Sequence, residues 1–206
     1  MPSTADVTAF ILAGGKSSRM GSDKAFLEFR GQKLLARALG LATAVVGQVR
    51  IVGPHTRFAE YAGVVEDVFL DRGPLGAIHA ALCASSSELN LMLAVDLPFL
   101  QAEFLRFLID RARASSALVT LPLGGGQLQP TCAVYRLGFR RLAEEALRAQ
   151  RNRIDALFHA ANTLVIDESE MNALSFPAAM FHNLNTPEEF ERARKTTVTR
   201  TDTGMR

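Results

Sequence analysis

Between Phe10 and Phe29 the chain reads FILAGGKSSRMGSDKAFLEF, an apolar run that meets Gly14 and Gly15 and then gathers Lys16, Arg19, Asp23 and Lys24 into nine residues. Glycines directly after a strand let backbone N–H groups approach a ligand closely, as a nucleobase or phosphate requires. Arg19 can bridge two phosphate oxygens in a fork and Lys24 adds a point charge, a pair suited to a triphosphate whose charge shifts during reaction. Two familiar phosphate loops are excluded. A Walker loop needs glycine where Phe10 stands, and no G-x-G-x-x-G spacing can be laid over Gly14, Gly15 and Gly21. A solvated glycine-rich turn with ordinary surface charges is the competing account.

A second candidate is Asp96 in LMLAVDLPFL. It closes an apolar run and precedes Leu97 and Pro98, so its carboxylate is expected at the carboxyl edge of a sheet. A hard oxygen ligand beside phosphates is how Mg2+ is usually held; a turn-initiating Asp before proline is the plainer alternative. The stretch VVEDVFLDRGPLGAIHAAL offers Glu66, Asp67 and Asp71 ahead of a glycine pair around Pro74 at a helix start, where an anion could be received or the chain could simply pack. In HNLNTPEEF, Asn183 and Asn185 precede a helix that Thr186 caps, with Pro187 in its first turn and Glu189 completing a capping box.

The elements that must position these residues follow from apolar periodicity. Runs at Val7 to Ala13, Val49 to Gly53, Gly63 to Val65, Asn90 to Val95 and Ala117 to Leu121 read as short buried strands. Helical spacing separates them, at Leu34 to Ala42, Leu75 to Cys83 and Phe104 to Ile109. Alternating strand and helix predict an α/β fold: three layers, a mostly parallel sheet with helices on both faces, Rossmann-like. Ligands in such sheets sit outside the carboxyl ends of the strands, so the loops after Ala13, Gly53, Val65 and Val95 are the places to search. The second half is less regular, with a glycine-rich loop LGGGQLQP, a strand TCAVYRL and a helix around Phe139 to Ala149. One domain is expected over residues 1–195, and a disordered tail over 196–206.

Composition narrows the function. The 206 residues are 48% hydrophobic and 21% charged, enough for one substantial core. A net charge of +2 does not favour nucleic acid as a partner, and points to a small ligand. The N-terminus has no basic region of a signal peptide, and no run approaches the roughly 20 apolar residues of a membrane helix. Cys83 and Cys132 have no C-x-x-C spacing, which suggests neither a disulfide framework nor structural zinc; a cytoplasmic location is expected. The histidines at 55, 79, 159 and 182 lack ligand spacing.

Taken in order, LAGGKSSRMGSDKAFLEFRGQKLL, VVED with RGPLGAI, VDLPFL, QPTCAVY and FHNLNTPEEF resemble the molybdenum cofactor guanylyltransferase family from Val7 to Ala193. The resemblance implies a nucleotide-diphospho-sugar transferase-like domain that joins GMP from GTP to molybdenum-loaded molybdopterin and releases pyrophosphate. It implies that Leu12, Ala13, Gly14 and Gly15 line guanine and ribose, that Arg19 and Lys24 contact phosphates, and that Asp67 lies in the guanine nucleotide site. Asp96 would bind Mg2+, Asn185 would be the second polar group near the metal, and Asn183 would lie towards the acceptor. Molybdoenzymes or their chaperones would receive the product. Two departures stand out: Gly53 in IVGPH occupies the nucleotide-side position where relatives often carry Asn, and Gln129 precedes Pro130 where some carry His. Arg148, Arg151 and Arg153 could meet a pterin phosphate or form a solvated helix end. Rival readings are transfer of CMP or another nucleotide onto a pterin or sugar phosphate, and a non-catalytic carrier. Retention of Arg19, Lys24 and Asp96 together disfavours the carrier.

Overall fold

The computed structural model describes residues 6–14, 24–184 and 189. The first apolar run forms β1 (Val7–Leu12), buried on both faces as a covered parallel strand must be. Its alternation divides the interior. Val7, Ala9 and Ile11 enter one core, and Phe10 enters the other. β1 lies between two parallel partners, β4 (Gln48–Val52) and β6 (Leu89–Ala94), and β5 (Val64–Val65) extends the sheet beyond β4. Between β1 and β4 come a small hairpin of β2 (Glu28–Phe29) and β3 (Gln32–Lys33) and then α1 (Leu34–Thr43). The register matters for function: Leu12 pairs with Val52 and with Ala94, so three strands end at one level and open their following loops on one edge.

The helices follow the predicted faces. α1 and α3 (Ala102–Arg113) pack on the Ile11 side of the sheet, while α2 (Gly73–Cys83) and α4 (Phe139–Arg148) pack on the Phe10 side. α3 runs beyond the expected Phe104 to Ile109 at both ends, and Phe104, Leu105, Leu108, Ile109 and Ala112 form one buried stripe at helical spacing.

The second half of the sheet departs from simple alternation. β7 (Val119–Gly124) turns through Gly125 and Gly126, at φ +62 and +72, into β8 (Gln127–Leu128). That turn needs two left-handed residues, which glycine supplies without strain. β9 (Cys132–Arg136) then inserts antiparallel between β6 and β7, and β10 (Thr163–Ile166) pairs parallel with β7. The order among the described residues is β10-β7-β9-β6-β1-β4-β5, so the sheet is mostly parallel with one reversed strand inside it. Asp167 caps α5 (Glu168–Ala173) by accepting the Glu170 amide at 2.8 Å. Of the expected terminal helix, Glu189 is helical; Thr186, Pro187 and the tail 196–206 lie outside the described residues.

Candidate active site

The common level of β1 and β6 leaves a cleft of about 470 Å³ at the carboxyl edge of the sheet. Leu12, Ala13 and Gly14 form one side of its floor, and Ala94, Val95 and Asp96 form the other. The β5–α2 loop and the first turn of α2 supply a wall through Asp67, Asp71, Arg72, Gly73, Pro74 and Ala77. Lys24, Thr131 and Asn183 complete the rim. Backbone pairing continues past the strands and fixes this floor: Ala13 N–H donates to the Val52 carbonyl at 2.9 Å, Ala94 N–H to Thr131 at 2.8 Å and Val95 N–H to Leu12 at 3.3 Å.

Gly14 on the floor and Gly53 behind it differ. A Cβ on Gly14 would lie 3.4 Å from Gly53 Cα and 3.7 Å from the Val52 carbonyl, which is ordinary contact. On Gly53 it would lie 2.7 Å from the Phe58 ring, so a side chain there requires the ring to move. Gly53 is buried. Phe58 fills the space that a side chain at Gly53 would need, and Gly53 is absent from the described lining of the cleft.

Lys24 and Asp96, 72 positions apart, meet in the cleft with Lys24 Nζ 3.1 Å from Asp96 Oδ2. Both side chains are about one-fifth exposed, so a ligand can reach them. Lys24 opens a single turn of 3-10 helix, Lys24–Phe26, whose Ala25 is buried and anchors the lysine. Asp96 follows the end of β6, and its carbonyl accepts the Leu184 amide at 3.3 Å, which brings neighbouring Asn183 to the same cleft. Asp67 has a different environment. Its Oδ1 is buried without a hydrogen-bond partner among the described residues, and burial raises its pKa above the ordinary 3.8.

Sequence reasoning missed two lining residues. Arg72 immediately precedes the Gly73–Pro74 helix start, the signal that could have found it, and its guanidinium donates to Gln150 Oε1. Thr131 sits just before β9. Other candidates are occupied elsewhere: Gln129 donates to the Gly124 and Gln127 carbonyls at 3.0 and 3.3 Å, Arg148 pairs with Glu144, and Arg153 pairs with Asp155. His79 is buried in α2 beside the Cys83 sulfur. Gly15, Arg19 and Asn185 lie outside the described residues.

No group of three or more His, Cys, Asp or Glu is placed to hold a metal among the described residues. An accessible strand-end carboxylate such as Asp96, with an amide lining the same cleft, is nevertheless what Mg2+ uses when substrate phosphates supply its remaining oxygens. Asp96 already holds a cation, the Lys24 ammonium. No helix among the described residues is long and apolar enough to cross a membrane.

A family model described as the MobA-like NTP transferase domain matches residues 9–163. The chain is 35% identical to a Pelotomaculum thermopropionicum protein named "Probable molybdenum cofactor guanylyltransferase", over 91% of each chain. It is 31% identical to the "Molybdenum cofactor guanylyltransferase" of Syntrophotalea carbinolica, over 91% of this chain and 90% of that protein. The fold matches a crystal structure of molybdopterin-guanine dinucleotide biosynthesis protein A from Archaeoglobus fulgidus with a TM-score of 0.79 at 23% identity, over 91% of this chain and 96% of the other. With a matching cleft-bearing sheet, a family model over most of its length and full-length relatives, this chain belongs to the MobA-like NTP transferase family.

Proposed function

We propose that the protein transfers GMP from GTP to molybdenum-loaded molybdopterin, forming the guanine dinucleotide cofactor and releasing pyrophosphate. The carrying observation is the Lys24–Asp96 pair at the mouth of a cleft large enough for a nucleotide, in a chain whose full-length relatives bear that activity's name. The nucleotide enters over Leu12, Ala13 and Gly14, with Gly15 and Arg19 assigned to the same side by the motif. Asp67 offers its carboxylate, with one oxygen unpartnered among the described residues, to guanine, whose adjacent N1–H and N2–H2 donors can pair with both oxygens where adenine has a donor only at N6.

The acceptor's terminal phosphate is already an anionic nucleophile, so the protein need not supply a strong base. The phosphate attacks the α-phosphorus in line with the departing pyrophosphate, and the chain's work is positioning and charge compensation. Asp96, with Asn185 assigned by the motif, would hold Mg2+. Bound there, the ion would supply charge neutralisation at the reacting phosphates. Lys24, placed at the same point of the cleft, would contribute its positive charge to the phosphates beside it. Thr131 and Asn183 face the acceptor side of the cleft.

A cytoplasmic site of action belongs to this reading and accords with two unpaired thiols, Cys83 and Cys132. So do one domain over 1–195 and delivery of the product to molybdoenzymes or their chaperones. The test is incubation of the purified protein with Mg2+, molybdenum-loaded molybdopterin and GTP, CTP or ATP in turn, with pyrophosphate and the dinucleotide measured. GTP is expected to exceed the others by about two orders of magnitude in kcat/KM. A preference for CTP would overturn the guanylyl assignment.

A further inference from the structure

The turn that carries Asp96 is held unequally. Val95 N–H reaches Leu12 and Leu184 N–H reaches the Asp96 carbonyl, each at 3.3 Å, the long end of the hydrogen-bond range. Two residues past Asp96 the contact is far shorter: Arg37 Nε donates to the Pro98 carbonyl at 2.6 Å. Its donor is charged, the kind of hydrogen bond that runs strongest. Arg37 belongs to α1, one turn in from the helix start, and lines a cavity of about 240 Å³ with Leu34, Leu93, Leu97, Pro98 and Leu100 behind the Asp96 turn. Burial lowers its pKa, with nearby Arg30 adding to the effect. A partly buried guanidinium in a mainly apolar cavity carries a desolvation cost that leucine or methionine would avoid. The next residue, Phe99, is also fixed from the α1 side, edge-on to buried Phe29 at 5.5 Å between ring centres.

We propose that Arg37 is a positioning residue which clamps the Asp96–Leu97–Pro98 turn, so that the Asp96 carboxylate is presented to a divalent cation in the cleft. The inference rests on the assignment of Asp96 above. Arg37 touches no substrate; it acts through the Pro98 carbonyl. Without the clamp, the backbone of the turn keeps the two long amide contacts and the packing of Leu97, Phe99 and Leu100, and once a cation competes with Lys24 for Asp96 the carboxylate is presented less uniformly.

The test compares Mn2+ binding to the full chain with GTP present, read by electron paramagnetic resonance of the free ion, in four variants. Arg37→Met keeps the side-chain stem in the cavity and removes the donor; it should weaken Mn2+ binding about tenfold. Its kcat at saturating metal should fall less than about threefold. Arg37→Lys restores a cation and a donor and should recover most of the affinity even if Arg37→Met is poorly folded. Arg106→Ala removes a comparable guanidinium-to-carbonyl contact, to Ala44 at 3.0 Å, at an exposed site, and should bind Mn2+ as wild type does. Asp96→Asn separates the two claims. Unchanged binding in Asp96→Asn would overturn the metal assignment and the clamp with it. Weak binding there, with Arg37→Met at the wild-type affinity or Arg37→Lys no better than Arg37→Met, would overturn the clamp alone.

Discussion

The two halves of the sheet use their polar residues in opposite ways. On the β1–β4–β6 side, Lys24, Asp67, Asp71, Arg72 and Asp96 all face one cleft, and the Asp67 carboxyl keeps a buried oxygen without a partner among the described residues. On the β7–β9 side several polar groups engage the protein itself: Gln129 ties the β7–β8 turn, the Tyr135 hydroxyl donates to the Pro130 carbonyl at 2.8 Å, and Arg148 and Arg153 meet local carboxylates, while Thr120 Oγ1 and Arg136 Nε are buried without a partner among the described residues. What distinguishes the first half is that its charged groups converge on one cleft, where a ligand can use them, whereas those of the second half are dispersed over turns and helix ends.

Mutations should separate these halves. The largest effect is expected at Asp96→Asn, about a 10³-fold fall in turnover with Mg2+, against less than about tenfold for Asp71→Asn on the same wall. Equal losses would move the metal to another carboxylate. Lys24→Ala should cost about 10²-fold while leaving the melting temperature near wild type. A Lys24→Ala enzyme that turns over normally would remove the lysine from phosphate chemistry.

Asp67→Asn should act on activity and stability in opposite directions. Loss of a full acceptor for guanine is expected to raise the KM for GTP about tenfold. Stability at pH 7 should rise, by about 2 °C in Tm, because the carboxylate is ionised against a burial penalty that an amide escapes. The sign follows from the raised pKa. Between the ordinary value of 3.8 and the raised one, the native state binds more proton than the unfolded chain, so wild-type stability falls as pH rises through that window. The Asn variant's advantage should therefore be full above the window and vanish below it. Thermal melts across pH 3 to 7 measure this directly, and an advantage that grew on acidification would contradict it.

The smallest effect on turnover belongs to the second half. Gln129→Ala should change kcat/KM less than about threefold but lower Tm by about 2–4 °C, as two backbone carbonyls lose a donor. If activity fell a hundredfold with Tm unchanged, Gln129 would belong to the acceptor site and the contrast between halves would fail.

How much of this was legible in the sequence depended on the physics involved. β1, β6 and Asp96 were readable because a buried strand interrupted by a charge leaves few places for that charge except the strand's end. The stripe of α3 was readable for a similar reason, since its period is local. The reversal of β9 was not, because two-residue alternation carries no direction, and β10 is a four-residue strand, Thr163–Ile166, that apolar content alone did not distinguish. The α5 start was signalled by Asp167 three residues before Glu170 and went unread. The Lys24–Asp96 meeting, the Arg37 contact with Pro98 and the Phe58 ring beneath Gly53 join residues distant in sequence or depend on side-chain shape. No spacing rule reports them.

The reversed strand also constrains the order in which the sheet can be completed. β5, β4, β1 and β6 can pair using residues 7–94, but β6 then ends the sheet with one row of N–H and C=O groups unpaired. Its missing partner begins at Cys132, and β7, though made earlier, reaches β6 only through that strand. During synthesis the central edge of Leu89, Leu91 and Leu93 thus waits for α3 and the β7–β8 hairpin to emerge before β9 can cover it. That interval is when the nascent chain is open to edge-on association, and it makes residues 132–136 the joint on which cooperative closure of the whole sheet depends.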